Sequence, residues 1–418
     1  MDDTQTGTTS AAALLLARLR DSGVRYLFAN AGTDFAPVIE ALTEAGDAPP
    51  VEALAVPHEN VAVSMAHGYA MVSGEAQAVM LHTSVGTANG LCALTNASRS
   101  DIPMLRMAGR TPISETRPGS EGARSIYIHW GQEMFDQGGM LREFVKWDYE
   151  LRAPEEVETV VDRALAIARS GPKGPVYLTL PREILGATVP VRAPAPPQAA
   201  TSPAHPDPAA LSEMADILLA AENPLIVTSD TGRDPAAVAA LGALAERFAI
   251  PVVSYVPRYL NLPDDHPMLL DFDPGAHIGA ADAVLVLDCD VPWIPSREGP
   301  PAGAKILQIA TDPLYGHIPL RGFRVDIDVA AALATALEGV GQQGSVLLRT
   351  DIVMPFMDGV ALARNAGESW PNMCILMMTG YANERDRAHN LDLLIHDIVV
   401  KPFTVDEIIL KVDDALQA

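Results

Sequence analysis

Short apolar runs alternate with alanine-rich segments over most of the chain. An apolar run of four to eight residues between turn signals is typical of a buried strand, and the longer alanine-rich segments, such as Val61–Met71, favour helices. The alternation therefore predicts parallel sheets covered by helices. The strands predicted in the first part of the chain are Val24–Phe28, Ala78–Thr83, Pro103–Ala108 and Pro175–Leu180.

Changes in composition divide the chain into three blocks. Residues 190–208 are rich in proline, which fixes the backbone and lacks an N–H, so this segment predicts a semi-extended linker after a first domain of residues 1–189. Residues 209–340 resume the alternation and predict a second doubly wound domain. Residues 341–418 begin with a glycine- and glutamine-rich joint and form a third, shorter block. It has three predicted strands and a closing amphipathic helix from Val405 to Leu416.

Composition narrows the possible functions. The chain has 418 residues and a formal net charge of −24, which disfavours binding to nucleic acid or to anionic lipid. Its three cysteines are far apart and have no metal-ligand spacing, as expected of buried thiols in a reducing compartment. No apolar run is long enough to span a bilayer, and Ala11–Leu19 is better explained as a first helix than as a signal peptide. We expect a cytoplasmic protein.

The first candidate catalytic residue is Glu59. The apolar run Val51–Val56 leads through Pro57 and His58 directly into a helix, so Glu59 lies at the end of a strand and in the first turn of a helix. In open parallel sheets that edge is where ligands bind. A structural role is the alternative, because a carboxylate in the first turn also complements the helix dipole.

Motifs around Glu59 resemble those of thiamine-diphosphate-dependent enzymes of the acetolactate synthase and benzoylformate decarboxylase type. Asn30–Phe35 (Asn-Ala-Gly-Thr-Asp-Phe) resembles the loop that opens these enzymes, and Pro57–Glu59 with Ala66–Ala70 resembles their glutamate motif. His82–Asn89 is similar to a loop that normally reads Ser-Gly-Pro-Gly-Ala-Thr-Asn. The order of the motifs also matches the family. Further matches are Asp101–Pro103, Ala108–Gly109 and Gly174–Arg182.

The resemblance implies a cofactor, a substrate class and a set of site residues. Glu59 would hydrogen-bond the aminopyrimidine ring of thiamine diphosphate, bound with Mg²⁺, and start a proton relay that serves chemistry on a 2-oxo acid. The family usually builds its site between two subunits, so a homodimer through the first domain is expected. His67 and His82 are further possible site residues, although a packing role is the more usual one for each. The expected cofactor-binding residues are Gly32, Thr33, Asp34, His58, Gly86 and Asn89.

The central block resembles the family's central domain, which binds FAD in acetolactate synthases. No glycine fingerprint here supports FAD, so a structural role is expected. The family holds the diphosphate and its metal with Gly-Asp-Gly followed by Asn on a further domain, and the 418 residues contain no such motif; the nearest string is Met357–Gly359. We therefore expect little cofactor affinity from this chain alone, with a separate chain supplying the diphosphate-binding domain.

The last block carries a second candidate site. Leu347–Gly359, Met377–Tyr381 and Val399–Phe403 resemble the C-terminal half of a response-regulator receiver domain, a flavodoxin-like fold. The resemblance implies that Asp351 accepts a phosphoryl group from a histidine kinase, while Thr379 and Lys401 bind that group.

The acidic pair that precedes these motifs in a complete receiver domain has no clear counterpart. Asp326 and Asp328 resemble it only superficially, because Ile327 separates them, they lie too close to Asp351, and they suit the end of the central domain. A helix is predicted from Val329 to Leu337. The predicted fold class is thus two doubly wound parallel-sheet domains followed by an incomplete receiver fragment.

Three functional hypotheses follow from the sequence. The first is a thiamine-diphosphate-dependent decarboxylase or synthase that needs a complementing domain. The second is a phosphorelay receiver module that controls the attached domains. The third is a non-catalytic fusion of two incomplete modules. The sequence does not identify the substrate.

Overall fold

The computed structural model describes residues 7–116, 123–191, 195–342, 347–351, 374–379 and 395–417. Within these ranges the chain divides into two compact units. The first contains residues 1–206 and 223–336, and the second contains residues 207–222 and 337–418. The two units are described separately. The parallel sheets with covering helices confirm the predicted α/β fold class.

The first sheet has six parallel strands in the order β3-β2-β4-β5-β7-β6. Every residue of β4 and β7 is buried, as expected for inner strands covered by helices on both faces. The strands predicted from the apolar runs are confirmed with ends shifted by up to two residues, and β6 is an additional short edge strand. The strands are β2 (Tyr26–Asn30), β3 (Glu52–Ala55), β4 (Gln77–Leu81), β5 (Met104–Arg110), β6 (Asp148–Glu150) and β7 (Pro175–Pro181).

Local sequence signals explain where the helices around this sheet begin and end. The first helix starts after Ser10, whose hydroxyl accepts a hydrogen bond from the amide of Ala13 at 3.1 Å. The helix that carries Glu59 ends at Gly74, which has a φ of 75° and so adopts the left-handed conformation that terminates helices. The helices are α1 (Ala11–Asp21), α2 (Ala36–Glu44), α3 (Glu59–Ser73), α4 (Thr83–Asn89), α5 (Leu91–Arg99), α6 (Ile128–Gly131), α7 (Val157–Arg169) and α8 (Arg182–Gly186).

The segment after the first sheet is extended. Strand β8 (Thr188–Pro190) pairs antiparallel with β1 (Thr8–Ser10), and residues 195–206 contain no helix or strand. The backbone amide of Thr201 donates a hydrogen bond to the Ser170 hydroxyl at 3.0 Å. This part of the proline-rich segment therefore contacts the first domain.

The central sheet also has six parallel strands, in the order β11-β10-β9-β12-β13-β14. The chain adds β10 and β11 on one side of β9 and β12 to β14 on the other, so the strand order reverses between β9 and β12, and that point is the topological switch. The predicted helix over Val329–Leu337 is wrong in its first part, because Val329 lies in an edge strand that pairs with β13. The elements are β9 (Pro224–Thr228), α10 (Pro235–Phe248), β10 (Val252–Ser254), β11 (Leu269–Asp271), β12 (Ala283–Leu287), β13 (Lys305–Ala310), β14 (Ile327–Ala330) and α11 (Leu333–Gln342).

The second unit contains a parallel sheet in the order β15-β16-β17. Its strands are β15 (Leu347–Asp351), β16 (Cys374–Thr379) and β17 (Asp397–Val400). A closing helix, α12 (Val405–Gln417), packs against this sheet, as the amphipathic pattern predicted. Helix α9 (Pro208–Ala220) belongs to the same unit.

Candidate active site

Glu59 lies at the carboxyl edge of the first sheet, as predicted. It is the first residue of α3, directly after strand β3 and a short turn. His58 is the residue that caps this helix: its ring nitrogen Nδ1 accepts a hydrogen bond from the amide of Asn60 at 3.3 Å, and its side chain is exposed. His58 therefore begins the helix that carries Glu59, which is a positional role rather than a demonstrated cofactor contact.

Helix α4 contacts the Glu59 side chain. The side-chain amide of Asn89, at the end of α4, donates to Oε2 of Glu59. A Cβ atom on Gly86 would lie 3.7 Å from Glu59 Cγ and 3.2 Å from Leu81 Cβ, so the absence of a side chain lets α4 approach closely. In the described part of the chain no protein donor bonds Oε1 of Glu59, which leaves that oxygen available to a ligand.

Asp34 and His82 form a hydrogen-bonded pair at the same edge. Asp34 is buried, and its Oδ1 bonds Nδ1 of His82. Two glycines make room for the pair: a Cβ on Gly32 would overlap the His82 ring, and a Cβ on Gly109 would overlap the Asp34 carboxylate. The hydrogen bond that the His82 ring donates to Asp34 raises the pKa of His82 above its ordinary value against the opposing effect of burial.

The structure gives the predicted site residues different surroundings. Glu59, Gly86 and Asn89 contact one another, whereas Asp34 is occupied by His82, and Thr33 is exposed at the loop surface. His82, one of the two further possible site residues, belongs to the candidate site and interacts electrostatically with Glu59. Its position at the end of a buried strand was the signal for this role.

A buried polar group beneath α4 was not predicted. Tyr177, in β7, is fully buried, and its hydroxyl is 2.9 Å from the Thr87 hydroxyl and 2.9 Å from Nε2 of Gln137. Arg106, in the middle of β5, is also fully buried and donates to the Thr87 carbonyl at 2.6 Å. Both residues lie in strands that were predicted from their apolar neighbours, and that pattern does not show which polar side chain in a strand is buried.

The carboxyl edge of the central sheet borders a cavity of about 410 Å³. Its wall has three carboxylates and three cations, so it carries no formal excess of positive charge for the pyrophosphate of a dinucleotide, and its most buried cation, Arg233, is engaged by Asp230. This balanced wall gives no support to FAD. The charged residues of the wall are Arg169, Lys173, Asp230, Arg233, Asp234 and Asp288.

An ion network at this edge connects the central sheet to the first sheet. Nη2 of Arg233 lies 3.1 Å from Oδ2 of Asp230 and 3.4 Å from Oδ2 of Asp101, just before β5. Arg258 bonds Asp230 at 2.9 Å and donates to the Arg99 carbonyl at 2.7 Å. Burial raises the pKa of Asp101 and of Asp230 despite these cations. The network joins residues of both sheets through ion pairs and is a structural element.

The three-stranded sheet of the second unit brings the predicted receiver residues to one edge. Asp351, Thr379 and Lys401 each follow or end one of its parallel strands, and the Lys401 amide donates to the Thr379 carbonyl at 2.7 Å. Thr379 is buried and Lys401 is exposed. The side chain of Asp351 lies outside the described residues, so the backbone alone places it at this edge.

Asp326 and Asp328 have structural contacts in the central domain. Oδ2 of Asp326 accepts a hydrogen bond from the Ile306 amide at 2.9 Å, and Oδ1 of Asp328 accepts one from Nε2 of Gln308 at 2.6 Å. Both aspartates therefore hold β14 against β13. This agrees with the expectation that they suit the end of the central domain.

Metal-binding clusters and membrane-spanning helices are both absent from the part of the chain that the structure describes. Within the described ranges, no group of three His, Cys, Asp or Glu side chains is arranged to hold a metal ion. The same ranges contain no helix long and apolar enough to cross a bilayer.

Comparisons with known families agree with the geometry of these sheets. Residues 9–140 match the family described as thiamine pyrophosphate enzyme, N-terminal TPP binding domain, and residues 211–339 match its central domain. Residues 318–413 match the response regulator receiver domain, so the last two matches overlap over residues 318–339.

Two individual relatives carry names of enzymes from this family. Benzoylformate decarboxylase from Pseudomonas aeruginosa is 28% identical over 334 residues, covering 77% of this chain and 60% of the relative. The acetolactate synthase large subunit of Lactococcus lactis is 24% identical over 355 residues, covering 82% of this chain and 58% of the relative. The chain thus spans less than two thirds of the length of these curated relatives.

A solved structure shares the fold over almost the whole chain. It is described as a thiamin diphosphate-dependent enzyme isolated from Mycobacterium smegmatis, with a TM-score of 0.66 and 19% identity, covering 99% of this chain and 98% of that one. At this identity the likeness concerns the fold alone. Through its N-terminal and central domains the chain belongs to the thiamine-diphosphate-dependent enzyme family, and it continues into response-regulator receiver sequence.

Proposed function

We propose that the first domain supplies the pyrimidine half of a thiamine diphosphate site for the decarboxylation or condensation of 2-oxo acids. The contact between Glu59 and Asn89 at the start of α3 carries this proposal, because it holds one carboxylate oxygen and leaves the other available. A carboxylate in that arrangement accepts a proton from a ring amine or imine at a fixed position. The relatives named benzoylformate decarboxylase and acetolactate synthase support the same substrate class.

Glu59 would hold and return the proton that passes between protein and cofactor. The cofactor, when bound, supplies the electron sink for carbon–carbon bond cleavage. His82, whose pKa is raised by its hydrogen bond to Asp34, keeps more of its proton near neutral pH and would serve as a hydrogen-bond donor to a 2-oxo acid at the same edge, while Asp34 balances its charge. Substitution of Glu59 by Gln keeps the shape of the side chain and removes the proton acceptor.

The diphosphate and Mg²⁺ need a second set of residues. Mg²⁺ prefers carboxylate and carbonyl oxygens in octahedral geometry, and such a group is absent from the described residues. The 418 residues also lack the Gly-Asp-Gly motif with its following Asn. We therefore propose that this chain provides only the pyrimidine contacts, and that a separate diphosphate-binding domain completes the site.

The pyrimidine half of the site can be tested with a cofactor fragment. Saturation-transfer NMR with 4-amino-2-methylpyrimidine should show a weak interaction with the full chain that Glu59→Gln removes. Substitution of the exposed Glu44, which lies at the end of α2, by Gln is the matched control and should leave the signal unchanged. An equal signal from the Glu59→Gln variant would contradict the proposed role.

The expected homodimer has a candidate surface. Helix α3 exposes Val61, Met65 and Val72, which lie at helical spacing on its outer side. We propose that this face packs against a second copy, as in a family that is usually oligomeric. Val72→Asp should shift the mass measured by light scattering from a dimer to a monomer, and an unchanged mass would place the contact elsewhere.

Phosphorelay control is a second candidate function. Its support is the convergence of Asp351, Thr379 and Lys401 at one edge of the three-stranded sheet. Incubation of the chain with acetyl phosphate and Mg²⁺ should add one phosphoryl group, detected by intact mass, and Asp351→Asn should prevent it. No added mass would leave the receiver sequence without phosphoacceptor activity, as expected of a non-catalytic fusion.

A further inference from the structure

Arg106 is an unusual residue for its position. It lies in the middle of β5, between Val79 of β4 and Tyr177 of β7 in the register of the sheet, and none of its surface is exposed. A guanidinium ion inside a parallel sheet loses its hydration and needs partners in the protein. Its Nε and Nη1 have no hydrogen-bond partner among the residues that the structure describes, so the single nitrogen Nη2 makes all its polar contacts.

Those contacts are made with the last turn of α4. Nη2 of Arg106 donates to the Thr87 carbonyl at 2.6 Å and lies 3.4 Å from the Gly86 carbonyl. Carbonyls in the last turn of a helix carry the negative end of its dipole, and the Gly86 carbonyl also accepts a hydrogen bond from the Gly90 amide at 3.1 Å. A buried cation at this position therefore fixes the turn and has a favourable electrostatic interaction with it.

The same turn contacts the candidate catalytic residue. Asn89 bonds Oε2 of Glu59, and the Cα of Gly86 packs beside the Glu59 side chain. A Cβ on Gly90, the next residue after α4, would lie 2.9 Å from Nη2 of Arg106, so the guanidinium also packs closely beneath the end of the helix. A continuous set of contacts thus connects Arg106 through α4 to Glu59.

We propose that Arg106 is a positioning residue that holds the last turn of α4 so that Asn89 and Gly86 fix the Glu59 carboxylate. The importance of this contact for a proton relay rests on the proposed function; the contact itself does not. Burial lowers the pKa of Arg106 to about 10, against the opposing effects of Tyr177 and Glu59, so the guanidinium keeps its charge near neutral pH.

The hydrogen bond from Asn89 to Glu59 provides a direct measurement. In the ¹⁵N-labelled full chain, the side-chain amide of Asn89 should appear displaced from the position of a free amide, with its signals assigned by their absence from Asn89→Ala. Arg106→Met should remove most of that displacement, and Arg106→Lys should restore part of it because a cation returns. Leu105→Ala, a buried substitution in the same strand, is the matched control for general loss of packing and should retain the displacement.

Two outcomes decide the proposal. A folded Arg106→Met variant with unchanged Asn89 signals would show that Arg106 only fills the core. If that variant does not fold, Gly90→Ala provides the test, because its methyl group pushes against Nη2 and leaves the charge in place. Unchanged Asn89 signals in Gly90→Ala would also overturn the proposal. Neither measurement uses the cofactor, so a failure of the proposed function leaves this result interpretable.

Discussion

The two six-stranded sheets of the first unit present their carboxyl edges in different ways. At the edge of the first sheet, Glu59 is held by one hydrogen bond through Oε2, and Oε1 has no protein donor among the described residues. At the edge of the central sheet, Asp230 is engaged by Arg233 and Arg258. Both edges are the places where parallel sheets bind ligands.

The difference shows that the fold provides the location but not the chemistry. An edge becomes reactive when a polar group is positioned and still has an available lone pair or proton. An edge whose charges neutralise each other contributes stability instead. We therefore expect substitutions at the central edge to change mainly the free energy of unfolding, and substitutions of Glu59 or its partner Asn89 at the first edge to change mainly ligand binding.

The largest expected effect is that of Arg233→Met. It leaves Asp101 and Asp230 partly buried with less compensating charge, and breaking a buried pair from one side costs about 3–5 kcal/mol. Urea denaturation should show a loss of this order, and the exposed control Arg297→Met should change the free energy by less than about 0.5 kcal/mol. A loss below about 1 kcal/mol would mean that the network is not structural.

Asp288→Asn should stabilise the protein in a pH-dependent way. Burial raises the pKa of Asp288 to about 6, so the folded state binds a proton that the unfolded state releases between about pH 4 and pH 6. The native protein therefore loses stability as pH rises through this window, and the amide does not. The variant should gain about 1–3 kcal/mol above pH 6 and little at about pH 4, measured by denaturation at both values.

The control for this prediction is Asp265→Asn, which replaces an exposed carboxylate in the same domain. It should show no pH-dependent gain. Equal stability of the native chain and Asp288→Asn at all pH values would mean that the buried carboxylate is fully compensated by its surroundings, including the Thr311 amide that donates to it at 2.9 Å.

Asp34→Asn should destabilise the first domain, and most strongly at low pH. Asp34 raises the pKa of His82 in the folded state above the value of about 6.5 that the imidazole has in the unfolded chain. The interaction between the two side chains therefore stabilises the fold fully below about pH 6.5, and this stabilisation is lost as pH rises through the folded-state pKa of His82. The expected loss is about 1–2 kcal/mol at about pH 5.5 and smaller at about pH 9. In the Asp34→Asn background, His82→Gln should add little; a large additional loss would mean that the two residues act independently.

The smallest expected effect on stability is that of Asn89→Ala. Its amide is exposed, so the free energy of unfolding should change by less than about 0.5 kcal/mol. Binding of the pyrimidine fragment should nevertheless weaken, because the Glu59 carboxylate loses the contact that fixes it. Unchanged fragment binding would mean that Glu59 is held without Asn89.

The sequence predicted the sheets well because buried parallel strands are continuous apolar runs. The strands predicted at Ala78–Thr83, Pro103–Ala108 and Pro175–Leu180 are present with ends shifted by at most two residues. The short edge strands β6 and β14 were not predicted, since three or four partly polar residues give no periodic signal. In β14 the apolar residues merge with those of α11, which is why a helix was expected there.

The site was only partly predictable. Glu59, Gly86 and Asn89, which the motifs singled out, lie close together because they follow strands that end at one edge. Their roles toward a cofactor stay predictions. The pairing of Asp34 with His82 depends on contacts between residues 48 positions apart, which periodicity cannot show. The burial of Arg106 inverts the usual preference of arginine for the surface, so sequence alone gave it no role.

Isothermal titration of the purified chain with thiamine diphosphate and Mg²⁺, beside Glu59→Gln, tests the central claim most directly. The claim is that these 418 residues form only the pyrimidine half of the site. It predicts no measurable heat from either protein. Micromolar binding that Glu59→Gln loses would contradict it, because the chain would then itself hold the diphosphate.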